Sequence, residues 1–286
     1  MMTRVALLIL FSLACSAFGI VVPPDNGVYD YHLKVGVHEA DRIRKLENEQ
    51  RVAGGSTTAI AAVPYQAGLI ITFRLVLTSV CGGTVISDTR ILTGAHCNND
   101  GNNIAQSITV VVGSNFLFTG GTRMQYTGVS MHPGYNPWIF ANDVAVVRVP
   151  RITFSLTIQP VNLPSGSELN IDFVSVTALA SGFGITRDGD SIGATQMISS
   201  VNLRVITNNE CRNVYGNFIQ NSHLCTSGAG GVGVCLGDTG GPLVATINRR
   251  RVIIGISSFT PRDGCQRNMP SGFSRVSSFA SWINSQ

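Results

Sequence analysis

From Arg51 onward the apolar residues arrive in short β-branched runs, at Leu69–Phe73, Ile108–Val112, Val144–Val149, Val174–Ala178 and Val252–Ile256, with Gly, Asn, Pro and Asp between them. Runs of this length, closed by turn formers, are strands rather than helices, and their regular recurrence points to a sandwich or barrel. The 31 glycines fit that reading, because tight turns use the positive-φ conformations that glycine adopts freely. Leu243–Ile247 and Val252–Ile256 flank Asn248-Arg249-Arg250-Arg251 and predict a hairpin with a charged, solvated tip. The one clear helix is the last element. Ser277 or Ser278 is the expected cap, and Phe279, Trp282 and Ile283 fall on one face.

The N-terminus has a different texture. A basic lead, an apolar run from Val5 to Leu13 and the small residues Ala14, Ser16, Ala17 and Gly19 read as a secretory signal over residues 1–19. Residues 20–51 carry six acids and five bases and no cysteine. Within them His38–Gln50 reads as a short helix; the plain expectation is a solvated leader, the sharper one an ordered helix shielding a cleft. No later run approaches about 18 apolar residues, so a secreted, extracellular protein with no membrane partner is expected.

Cys15 falls within the signal, leaving Cys81, Cys97, Cys211, Cys225, Cys235 and Cys265. An even set in a secreted chain predicts three disulfides and leaves their pairing open. No C-x-x-C pair exists, and His96, His132 and His223 are the only histidines after residue 51, so no metal or cofactor is expected. The formal net charge is +4, yet Lys34 and Lys45 are the only lysines. An ordinary composition would place roughly a dozen more after residue 51. Arginine keeps its charge where lysine starts to lose it, which suggests an alkaline environment such as a gut lumen. Nucleic-acid binding is not expected, and the chain is expected to be a monomer.

Three segments carry chemistry, in the order His, Asp, hydroxyl. Ile91-Leu92-Thr93-Gly94-Ala95-His96-Cys97 holds a histidine between small residues and a cysteine. Asn142-Asp143-Val144-Ala145-Val146-Val147 places an acid at the mouth of an apolar strand, a costly position unless a donor meets it. Cys235-Leu236-Gly237-Asp238-Thr239-Gly240-Gly241-Pro242 flanks a hydroxyl with glycines, so that a sharp turn can aim backbone N–H groups at one spot.

Together these segments resemble the trypsin/chymotrypsin peptidases, whose triad is a standard worked example of nucleophilic catalysis. The resemblance runs from about Arg51 to Ile283. It implies an all-β fold of two six-stranded antiparallel β-barrels with a C-terminal α-helix, formed by a peptidase domain over residues 52–286. It implies His96 as general base, Asp143 as its orienting partner, Thr239 as nucleophile, oxyanion-hole N–H groups from Gly237 and Thr239, and Ser258 beside Asp143. The implied disulfides are Cys81–Cys97, Cys211–Cys225 and Cys235–Cys265. Arg51-Val52-Ala53-Gly54-Gly55 resembles an activation site, where a trypsin-like protease cuts after Arg51 and the new Val52 amine pairs with buried Asp238. The pocket residues are Gly233, Phe259, Thr260 and Ser271. Gly233 stands where trypsins are acidic, and Thr260 narrows the pocket, so medium apolar side chains are expected in protein or peptide substrates. The backbone at Phe259-Thr260 is the expected edge for an extended peptide, and protein inhibitors are expected to use the same edge.

The departure is Thr239, where the family has serine. The hydroxyl survives, but the added methyl restricts χ1 and needs space near His96 or the scissile group. Small residues nearby, Gly94 among them, are candidates to provide it. Two functions follow: an endopeptidase of reduced rate, or a silent homologue that binds peptides, inhibitors or partner proteases.

Overall fold

The computed structural model describes residues 28–53, 59–74, 77–185, 188, 197–261 and 264–286. The expected signal segment lies outside the described residues.

The first sheet holds β1 (Gln66–Phe73), β2 (Leu77–Val85), β3 (Arg90–Thr93), β4 (Ser107–Val112), β5 (Thr122–Gln125), β6 (Gly128–Met131) and β7 (Ala145–Arg148), in the order β5-β4-β1-β2-β3-β7-β6. That makes seven strands where six are expected. The extra one is a matter of bending. Between β5 and β6, Tyr126 N donates to Ile108 O on β4 and Thr127 N to Arg148 O on β7. The two short strands are halves of one bent strand that joins both ends of the sheet. The second sheet is a closed barrel of β8 (Thr177–Gly182), β9 (Ser199–Ile206), β10 (His223–Thr226), β11 (Pro242–Ile247), β12 (Arg250–Phe259) and β13 (Ser271–Arg275). The strand expected at Val174–Ala178 starts only at Thr177, because Phe173 and Ser175 take φ values of 61° and 69° and the turn they make sends the Phe173 ring into the barrel.

At the hairpin tip Asn248 and Arg249 have φ of 50° and 64°, a two-residue turn that matches strand twist. The basic triplet is therefore broken up. Arg250 pairs with Glu168 at 2.7 Å, and Arg251 donates to Ala62 O. The C-terminal helix, Val276–Asn284, follows β13 without a linker, so Arg275 occupies the cap position and Ser277 and Ser278 lie within the first turn. Phe279 and Ile283 are buried, as the spacing predicts.

Each barrel has its own core, built around Leu69, Ile91 and Val110 in the first and Leu203, Ile254 and Phe273 in the second. A third cluster, including Val80, Leu92, Val146, Ile256 and Phe279, lies between the barrels. His96 and Asp143 come from the first barrel and Thr239 from the second, so this seam sets the spacing between them. The three disulfides are Cys81–Cys97, Cys211–Cys225 and Cys235–Cys265. No helix among the described residues is long and apolar enough to cross a membrane.

The leader departs most from the plain expectation. A π-helical turn, His32–Gly36, runs into an α-helix, Val37–Ala53, and this unit packs on the body instead of standing in solvent. Ala40 and Ile43 join the cluster between the barrels, and Tyr31 joins the core of the first barrel.

Candidate active site

His96 sits in a 3₁₀ turn, Ala95–Cys97, at the end of β3, and the Cys81–Cys97 bridge fastens that turn to β2. Gly94 is required there: a Cβ would come within 2.6 Å of the His96 ring and 3.2 Å of Asp143. The glycine thus clears the His96–Asp143 contact, not a berth for the Thr239 methyl. Asp143 is set just before β7 by Asn142, whose φ of 54° is a conformation asparagine tolerates and whose side chain donates to Gly134 O at 2.7 Å.

The Asp143 carboxylate is fully buried and fully used. Oδ2 lies 2.7 Å from His96 Nδ1 and accepts from Ser258 Oγ at 2.6 Å, while Oδ1 accepts from His96 N at 2.9 Å. Burial alone would push this carboxyl up, but the His96 charge and these donors outweigh it and hold Asp143 below the usual carboxylate range. The other histidine nitrogen is not bonded to Thr239. His96 Nε2 lies 3.5 Å from Cys97 Sγ. His96 is completely buried, and the leader residue Tyr31 stands against it with ring centroids 5.1 Å apart.

The hydroxyl turn closes through Asp238 N donating to Cys235 O and Gly241 N to Asp238 O. Gly237 at φ 91° and Gly240 at φ 85° carry its sharp bends. Gly240 has no room for a side chain: a Cβ would lie 2.5 Å from Thr93 Oγ1 and 2.6 Å from Gly82 O. Thr239 is buried, and its carbonyl accepts from Gly82 N at 2.7 Å. Asp238 accepts from Gly184 N at 2.8 Å and from Cys235 N at 3.0 Å. Burial is the main influence on it; the two N–H bonds oppose burial, Glu39 reinforces it, and the carboxyl is pushed up to about 6. It borders a cavity of about 220 Å³ lined also by Gly182, Ser200, Gly233 and Cys235.

Of the expected pocket residues, Gly233 and Ser271 lie together. Ser271 Oγ accepts from Val234 N, and a Cβ on Gly233 would lie 2.9 Å from that oxygen. Phe259 is buried against Phe140, ring centroids 4.7 Å apart, and Thr260 is half-buried at the end of β12. Cys81, His96 and Cys97 are the one cluster of metal-ligating residue types among the described residues. Both sulfurs are spent in a disulfide and offer no thiolate. Arg51 and Val52 lie in the last turn of the leader helix; their side chains fall outside the described residues.

A profile of the trypsin family matches residues 52–283. The chain belongs to the trypsin family. Its relatives include a collagenase from Hypoderma lineatum, 36% identical over 236 residues that cover 82% of this chain and 86% of the relative. Brachyurin from Leptuca pugilator is 34% identical over 239 residues, covering 82% and 98%. A chymotrypsin from Phaedon cochleariae is 31% identical over 288 residues, covering 98% and 96%. Among solved structures, one described as HL collagenase superposes with a TM-score of 0.72 at 35% identity and covers 79% of this chain and 94% of its own. The fold is that of the trypsin-family serine endopeptidases.

Two features of the site escape a reading of local sequence: the tyrosine against His96 and the glutamate beside Asp238. Both belong to the leader, and neither sits in a recognisable motif.

Proposed function

We propose that the chain is the zymogen of a secreted chymotrypsin-like endopeptidase that uses His96, Asp143 and Thr239 and cuts after medium apolar residues. The intact His96–Asp143–Ser258 cluster carries the reading. A buried carboxylate with three donors is expensive to build, and its use is to hold one histidine in the tautomer that leaves Nε2 ready to take a proton. In catalysis His96 would take the Thr239 proton as the hydroxyl attacks the carbonyl, and then deliver it to the leaving amine. The developing oxyanion would be met by the N–H groups of Gly237 and Thr239, which have no backbone hydrogen-bond partner among the described residues.

Activation follows from Asp238. A buried carboxyl whose charge is opposed by burial gains most from a cation that arrives in its cavity, and the Val52 amine freed by a cut after Arg51 would be that cation. The cut requires the last turn of the leader helix to unwind, since proteases bind extended backbone. Gly233 and Ser271 supply no charge for a basic side chain, which favours apolar substrates. The relative named collagenase adds collagen to the substrates worth assaying.

A silent, peptide-binding homologue is the second reading. It draws on the Thr239 methyl and on the absence of a His96–Thr239 hydrogen bond among the described residues of the uncut chain. One comparison separates the two. After cleavage at Arg51, wild type, Thr239→Ser and Thr239→Ala are assayed on apolar peptide amides. The endopeptidase reading expects wild type well above the alanine variant and about 10²-fold below the serine variant, the scale of a misplaced reacting group. Equal rates for wild type and alanine, beside a fast serine variant, would leave only the binding reading.

A further inference from the structure

The leader crosses the catalytic centre instead of merely lying beside it. Val28 is buried in the cluster that holds Phe140 and Phe259, the start of the expected substrate edge. Three residues later, Tyr31 is against His96. Its phenol donates to Val80 O at 2.7 Å, which fixes the ring in place. One leader side chain thereby covers the general base.

Polar contacts fix the register on both sides of Tyr31. Asp30 accepts from the side chains of Asn102 and Asn103, each at 3.0 Å. His32 donates its backbone N–H to Asp100 at 2.9 Å, and its ring lies 2.9 Å from Ser79 Oγ. Gly36 then lets the helix approach β2 so closely that a Cβ would stand 1.8 Å from Ser79 Oγ. Farther along, Glu39 reaches the Gly237–Asp238 turn, and the buried Glu47 carboxylate accepts from Phe118 N at 2.7 Å. The backbone beside His96 is a π-helical turn, so no extended peptide bond is offered for attack.

We propose that residues 28–47 form an inhibitor of the catalytic cleft that acts by occupancy, and that it keeps hold of the cleft after the chain is cut at Arg51. This rests on the zymogen reading above and adds a second lock to it. Nothing covalent joins the leader to the body once the cut is made, because residues 20–80 contain no cysteine. What holds it is burial of Val28, Tyr31, Ala40 and Ile43, which removes apolar surface from water, together with the bonds just described.

The test needs no turnover. The full chain, uncut and then cut after Arg51, is treated with diethylpyrocarbonate and modification of His96 is read by mass spectrometry. The cut complex is also offered a fluorescently labelled 20–51 peptide, and its uptake is followed by anisotropy. His96 is expected to stay protected in both forms, and labelled peptide to exchange in. Peptides carrying Tyr31→Ala or Gly36→Ala should exchange at least about tenfold more weakly. The second is the sharper control, since alanine favours the helix yet cannot fit beside Ser79. Because these changes sit in the peptide, the body's fold is untouched. Modification of His96 at full rate in the uncut chain, or equal exchange of all three peptides, would overturn the proposal. Failure of the activation reading would look different: no gain in activity in the cut Thr239→Ser protein even with the leader displaced.

Discussion

The two halves of the catalytic centre are in opposite conditions. On the first barrel, every Asp143 carboxylate oxygen has a donor, Ser274 Oγ donates to its backbone carbonyl, and the carboxyl is held down in pKa. On the second barrel, Asp238 is equally buried but is raised toward neutrality, with the acid Glu39 of the leader among its neighbours. The same residue type, at similar depth, is stabilised as an anion in one place and strained as an anion in the other. The difference teaches that the base half is complete in the intact chain, while the nucleophile half holds a carboxylate whose charge is poorly met, as the proposed activation requires.

The largest effect should come from breaking the finished half. Asp143→Asn, measured in cut protein of the Thr239→Ser background, should lower kcat by about 10⁴-fold while binding of apolar peptides persists. A loss of less than about tenfold would mean that the cluster is structural.

The unfinished half should show itself in a pH titration of the uncut chain. The folded pKa of Asp238, about 6, lies above its unfolded value of 3.8, so its contribution favours folding at low pH and is lost as pH rises through 6. The stability of wild type relative to Asp238→Asn, from urea unfolding, should fall by roughly 2 kcal/mol between pH 4 and pH 7. The difference is the useful quantity, since raised Glu39 and Glu47 add the same sign and lowered His32 the opposite one. After cutting at Arg51 the slope should vanish or reverse as the Val52 amine takes up the carboxylate. An unchanged slope would break the comparison.

Ser258→Ala removes one donor of the finished half and should cost about tenfold in kcat, with the acid limb of the pH–rate profile moved upward. Smallest of all, Arg250→Ala at the partly exposed Glu168 pair, remote from both halves, should change stability by no more than about 1 kcal/mol and leave rates alone.

How much of this was legible depends on whether the signal was local. His96, Asp143 and the Gly237–Gly241 turn are dictated by neighbours in sequence, since each needs small or glycine residues beside it to fit. Strands β1, β4, β7, β8, β11 and β12 announce themselves by β-branched composition, whereas the other strands, and bends such as Tyr126–Thr127, do not. The helix cap was misread because Ser277 and Ser278 are good caps in isolation, while β13 runs straight into the helix and gives the position to Arg275. The leader was least legible. Tyr31, His32 and Glu47 look like ordinary polar-segment residues, and what they do is set by Val80, Ser79 and Phe118, which lie 47 to 71 positions away.

The proposed inhibition by an untethered leader sets how the cut protein would respond to dilution. A cap delivered one-to-one with its target, and held only by reversible contacts, obeys mass action: the uncovered fraction of cut protein grows as total concentration falls. Where secretion is concentrated, cutting at Arg51 would leave the cleft covered. Where the secretion spreads into a larger volume, the same cut would open it, so dilution itself becomes the last step of activation.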